Sequence, residues 1–155
     1  MTKLRGPALD PATLEPHGGF DFFDLPPLNE PCSKRQWREI GNAVGLSKFG
    51  VNLTVLPPGT WSTQRHWHLN EDEFVYIIQG EAVLVNDDGE QTLTAGMAAG
   101  FPAGKRDIHH LFNKSDKPVT LIEVGTRAPR EEGGYPDLGK KFIVHEDGSE
   151  EFWPT

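Results

Sequence analysis

The stretch Gly59–Gly80 reads GTWSTQRHWHLNEDEFVYIIQG, and its spacing decides how the rest of the chain is read. His66 and His68 stand two residues apart, with Glu73 five residues beyond His68. Side chains on a β-strand alternate with period two, so the two imidazoles point to one side of a sheet. An odd separation would turn Glu73 to the opposite side of a single continuous strand. The intervening Leu69, Asn70, Glu71 and Asp72 are polar enough to turn the chain, which lets Glu73 open a second strand, EFVYIIQ, beside the histidines. Two ring nitrogens and a carboxylate then converge on one point, as a divalent metal requires.

A fourth donor is expected from a later strand. Gly96–Asn113 reads GMAAGFPAGKRDIHHLFN and offers Pro102, Gly104, His109, His110 and Asn113. Together the two stretches resemble the paired motifs of the cupin superfamily. The first motif is matched by Gly59, His66-Trp67-His68, Glu73 and Gly80, the second by Gly96, Pro102-Ala103-Gly104, His109 and Asn113. There is one extra residue before His66, there are two between Gly104 and His109, and fifteen residues separate the motifs, as in small bacterial members. The resemblance covers about Gly41 to Thr126. It implies an all-β fold, the double-stranded β-helix or jelly-roll barrel, with a metal in its mouth or interior. It also implies His66, His68, Glu73 and His109 as the metal ligands. Spacing to Asn113 selects His109, and His110 should point the other way. Three imidazoles and a carboxylate suit one divalent transition metal (Fe, Mn, Ni, Co or Zn) without choosing among them. Asn113 reads as a turn or supporting residue, and Gly59, Gly80, Gly96 and Gly104 as backbone geometry.

The flanks read as short strands punctuated by turns, which favours a barrel or sandwich over an α/β fold. FGVNLTVL (49–56) alternates, with Phe49, Val51, Leu53 and Val55 on one face and Asn52 and Thr54 on the other. EAVLVN and EQTLTA flank the turn Asp87-Asp88-Gly89, and HHLFN and VTLIEV flank a polar turn at Lys114–Pro118. KKFIVHE and SEEFW flank Asp147-Gly148, a further hairpin signal. Ser33–Ile40 is ambiguous between a capped helix start and a short lead-in strand, and the strand is preferred. The chain therefore divides into a Pro/Gly-rich arm with lead-in strand (1–40), a cupin barrel (41–128) and a C-terminal extension with a β-hairpin (129–155). The arm's Phe20, Phe22, Phe23 and Leu25 would be costly to leave in water, so the arm packs on its own barrel or crosses to a second subunit.

Fifteen Lys and Arg against 23 Asp and Glu give a formal charge of −8. An acidic chain with no basic run argues against nucleic acid or an anionic membrane as partner. The single cysteine, Cys32, forms no internal disulfide, the start lacks a signal-type apolar segment, and no run is long enough to span a bilayer. A cytoplasmic protein is expected. By resemblance to small cupins, and because strand edges need covering, a homodimer is expected.

The cupin likeness implies a metal-dependent enzyme, dioxygenase-like or sugar-phosphate isomerase-like, acting on a small oxygenated substrate. The alternative is a non-catalytic small-ligand binding or sensor cupin. A general base is open among Glu71, Asp72, Glu123 and His110. Trp67 and Arg65 should face away from the metal. Trp61, Tyr76, Phe101, Phe112 and Trp153 read first as core or interface. Lys105, Arg106 and Asp107 form either a cationic rim for an anionic substrate or a solvated loop.

Overall fold

A computed structural model describes residues 4–19 and 29–154; the Phe20–Leu25 stretch of the arm lies outside them. The strands are β1 (His17–Gly18), β2 (Gln36–Arg38), β3 (Phe49–Leu56), β4 (Trp67–His68), β5 (Glu73–Gln79), β6 (Glu81–Asn86), β7 (Gly89–Thr94), β8 (Ala98–Phe101), β9 (His110–Phe112), β10 (Val119–Thr126), β11 (Glu131–Tyr135), β12 (Lys140–Val144) and β13 (Glu150–Pro154). They form a six-stranded sheet in the order β1-β2-β3-β10-β5-β8, a three-stranded sheet β7-β6-β9 and a four-stranded sheet β13-β12-β11-β4. This is the all-β double-stranded β-helix that the cupin resemblance implies.

The ladder β3-β10-β5 makes the wall that matters most. β10 pairs with β3 from Val119↔Leu56 to Thr126↔Phe49 and with β5 up to Gly125↔Glu73. Its inward row runs Asn52, Thr54, Leu56 on β3, Glu123, Leu121, Val119 on β10 and Glu73, Val75, Ile77 on β5. Thr54, Leu56, Ile77, Val119 and Leu121 are fully buried. The polar face of FGVNLTVL is thus the one turned inward, and its apolar row lies on the outer face of the sheet. Period-two alternation separates two faces but does not say which is inside. The same alternation puts Phe74, Tyr76 and Ile78 of β5 on the exposed side.

Local chemistry explains the connections. Gly80 joins β5 to β6 at a φ of 82°, and a Cβ there would lie 2.9 Å from the Pro118 carbonyl oxygen. The Asp87-Asp88-Gly89 turn closes a β6–β7 hairpin, and the Asp147-Gly148 turn a β12–β13 hairpin. The Lys114–Pro118 turn closes no hairpin: it carries the chain from β9 in the three-stranded sheet to β10 in the six-stranded one. Asn113, fully buried, holds that crossing by donating from Nδ2 to the carbonyls of Leu56 (2.7 Å) and Lys117 (2.8 Å).

Both flanks join the barrel. Ser33 follows a 3-10 turn over Glu30–Cys32 rather than capping a helix, and β2 then pairs with β3. One helical turn, Ile40–Ala43, intervenes before β3. At the other end β11 pairs with β4 through Gly133↔His68 and Gly134↔Trp67. A Cβ at Gly133 would sit 2.3 Å from the Phe142 ring and 2.6 Å from the Trp67 carbonyl, so only glycine lets the extension lie against the HWH strand.

Candidate metal centre

The HWH triplet and the second motif meet through their backbones. His66 donates its N–H to the His109 carbonyl at 3.1 Å, and His109 returns the bond at 3.0 Å. This bridge stands just ahead of β4 and β9 and puts the two rings side by side, with centroids 4.8 Å apart. His68 follows on β4, and the turn after it delivers Glu73 as the first residue of β5. Glu73 Oε2 lies 3.2 Å from His66 Nε2, 3.5 Å from His68 Nε2 and 3.1 Å from His109 Nε2.

Those separations bear directly on whether the residues fit a metal. Donor atoms each about 2.0–2.2 Å from one ion lie about 3–3.5 Å from their neighbours around it. One ligand atom each from His66, His68 and Glu73 lies within 4.8 Å of the others, and His109 joins through its own approach to Glu73. Burial pushes the Glu73 carboxyl up, but the His66 ring beside it and hydrogen bonds from His109 and His66 outweigh that. The group ends well below the usual carboxylate range. Burial holds the His66 ring low. An ionised carboxylate among buried rings is a donor set that fits a transition metal ion.

His109 is further fixed by Phe101, whose ring stacks on it at 3.4 Å and 4°. His110 is turned to other partners: its Nδ1 lies 3.0 Å from the Thr63 carbonyl and Trp61 meets it edge-on at 4.6 Å. Burial lowers the His110 pKa to about 4. Trp67 and Arg65 also face away from the cluster. Trp67 packs against Gly134 beneath the Arg106 guanidinium, and Arg65 pairs with Asp87 at 2.8 Å.

The four side chains open onto a cavity of about 510 Å³, also lined by Arg35, Trp37, Asn52, Glu71, Glu123, Arg127 and Tyr135. Lys105, Arg106 and Asp107 are not in its wall, so the insertion supplies no cationic rim. The cations there are Arg35 and Arg127, which the motif spacing did not point to. Arg35 Nη2 donates to Glu123 Oε2 at 2.8 Å, Thr54 Oγ1 donates to the same oxygen at 2.6 Å, and the Arg35 guanidinium lies 4.5 Å over Trp37. Arg127 donates to Asn42 Oδ1 and to the Leu46 carbonyl. Among the candidate bases Glu71, Glu123 and His110 line the cavity, whereas Asp72 accepts from the Ala103 N–H at 2.8 Å and does not. Glu131, likewise not singled out by the sequence, comes to the cluster from the C-terminal extension.

Fold and site together define a barrel with a histidine–carboxylate cluster at its mouth. A family model described as a cupin domain matches residues 52–125. A crystal structure described as a sugar phosphate isomerase from a cupin superfamily, from Silicibacter pomeroyi DSS-3, is 38% identical. It matches 96% of this chain and 93% of its own, with a TM-score of 0.89. The chain belongs to the cupin superfamily. A candidate sugar phosphate isomerase from Acidithiobacillus ferrooxidans is 27% identical, with 82% and 80% of the chains matched and a TM-score of 0.76. Protein SchB of Streptomyces halstedii is 28% identical over 76% of this chain and 80% of its own length.

Proposed function

We propose that the protein is a metal-dependent enzyme that isomerises a small phosphorylated sugar, with His66, His68, Glu73 and His109 as the metal ligands. The observation that carries this reading is the convergence of three Nε2 atoms on one Glu73 oxygen at 3.1–3.5 Å, beside a cavity that also holds unliganded carboxylates. The likeness to the Silicibacter protein supports the choice of substrate class. When bound, a divalent ion supplies Lewis-acid polarisation and a template for substrate oxygens.

Aldose–ketose isomerisation moves a carbon-bound proton between neighbouring carbons, so a side chain within reach must accept and return it. Glu71 suits that work. It lines the cavity, its Oε1 accepts from the Ala128 N–H at 2.8 Å, and burial raises its pKa above the ordinary carboxylate value, the direction that suits a proton carrier. Glu123, held by Arg35 and Thr54, is suited to orienting substrate hydroxyls. Arg35 and Arg127 suit an anionic group, since both bring guanidinium donors to the same wall.

The test is deuterium exchange. Metal-loaded protein incubated with a panel of sugar phosphates in D₂O is expected to label carbon next to the carbonyl of one of them. Glu71→Gln should slow that labelling about 100-fold or more while substrate still binds. No exchange across the panel, with dioxygen consumed instead on diketones or catechols, would replace this reading with a dioxygenase-like one.

A further inference from the structure

All three histidines turn Nε2 toward Glu73, so the group facing each Nδ1 decides how firmly that ring is aimed. His66 Nδ1 lies 3.0 Å from the Gln64 carbonyl, and His109 Nδ1 lies 2.9 Å from the Asp107 carbonyl. In both cases the acceptor is the backbone two residues earlier, so the stretch of chain that carries the ring also holds it. His68 lacks this arrangement. Its Nδ1 is buried, makes no conventional hydrogen bond among the described residues, and faces Glu131 Oε1 at 3.5 Å.

Glu131 is an unusual neighbour, because its side chain is only 2% exposed. It is pinned by the turn that separates His68 from Glu73: Oε1 accepts from the Leu69 N–H at 2.7 Å and Oε2 from the Asn70 N–H at 2.9 Å. No Lys or Arg pairs with it among the described residues. A buried carboxylate without a cation is expensive, and two backbone hydrogen bonds repay only part of that cost. Its position follows from the pairing of β11 with β4, which sets Gly133 opposite His68.

We propose that Glu131 is the positioning carboxylate of His68, so that the C-terminal extension forms part of the metal centre. The proposal rests on His68 being a ligand, as argued above. Glu131 touches the ring and not the ion. It holds the proton on Nδ1, leaves the Nε2 lone pair for the metal, and adds a negative charge that makes the ring a stronger donor. The two atoms stand 3.5 Å apart, so the Nδ1–H would need only a small closure to donate to Glu131 Oε1 with an ion bound. The buried charge then faces a divalent cation through the imidazole, which accounts for its lack of a basic partner.

The experiment compares the full chain with Glu131→Gln, using Co(II) as the probe. Gln keeps the size of the side chain and one acceptor for the Leu69–Asn70 turn, but removes the charge. Co(II) affinity, measured by competition with a chelating indicator, is expected to fall about 10- to 100-fold, and the visible absorption of the bound ion to shift. Metal-free thermal unfolding reports separately on the fold. Parental affinity with an unchanged Co(II) spectrum in the variant would overturn the proposal and leave the four-ligand reading intact. Failure of the parent chain itself to bind one Co(II) would overturn both. If the variant does not fold, NMR of the Zn(II)-loaded parent decides: a slowly exchanging His68 Nδ1 proton, shifted downfield of those of His66 and His109, is expected. Rapid exchange of that proton would refute the role.

Discussion

The two ends of the barrel are built from the same strands yet differ in kind. On the inward row β10 passes from Glu123 to Leu121 to Val119, β3 from Asn52 through Thr54 to Leu56, and β5 from Glu73 to Val75 to Ile77. Within a few residues each strand changes from polar to apolar on its inner face. The closed end joins Leu56, Ile77, Val119 and Leu121 with Ala82, Leu84 and Leu111 of the facing sheet in one cluster. The open end gathers histidines, carboxylates and arginines around the cavity. Stability and chemistry are therefore separated along the barrel axis: one end removes apolar surface from water, and the other carries polar groups that add little to folding by themselves.

This contrast can be broken most directly by a reciprocal pair of substitutions. Glu73→Ala is expected to lower metal affinity by more than about 100-fold, beyond the range for a residue that only supports a ligand. The metal-free variant should stay folded with a loss smaller than that of a core truncation, because the histidine rings left behind can be neutral and leave no unpaired charge. Leu121→Ala at the closed end should cost about 2–5 kcal/mol in denaturant unfolding and leave the metal stoichiometry of the folded protein unchanged. If Glu73→Ala unfolds the chain, or Leu121→Ala empties the metal site without loss of stability, the division is wrong.

A smaller effect sharpens the comparison at its boundary, where His110 sits beside the cluster in a buried setting. Its folded pKa, lowered to about 4 by burial, lies below the ordinary 6.5. Below about pH 6.5 the unfolded state therefore binds more protons, and stability falls as pH drops toward about 4. Each tenfold weakening of proton binding is worth about 1.4 kcal/mol, so the loss approaches about 3 kcal/mol. His66 is shifted the same way, so the informative quantity is the difference between variant and parent. His110→Gln should flatten the fall in the urea midpoint of metal-free protein between about pH 7 and about pH 4.5. An unchanged slope would show that the His110 ring is already solvated.

Much of the site's geometry was legible because it is local. The HWH spacing puts His66 and His68 on one side through period two, the four-residue polar turn brings Glu73 back to them, and the cupin resemblance with the separation from Asn113 picks out His109. The glycine at 80 and the Asp147-Gly148 turn were legible for the same reason. What escaped was everything that needs a distant partner. Arg35 meets Glu123 across 88 residues, and Glu131 meets the turn after His68 across 62 and 61. No short pattern encodes either pairing. The choice left open at Lys105–Asp107, rim or solvated loop, was of the same kind: only packing put the Arg106 guanidinium over Trp67 and away from the cavity wall.

By itself the sequence determined an all-β barrel of the cupin type and singled out His66, His68, Glu73 and His109, whose side chains the fold brings together. Spacing and turn chemistry act over a few residues, and a single chain displays them in full. The tertiary structure alone decided which face of each strand looks inward, which cations reach the cavity and which carboxylate stands behind His68. Those outcomes depend on the pairing of strands far apart in the chain, where the gain in burial and electrostatics exists only once both partners are in place.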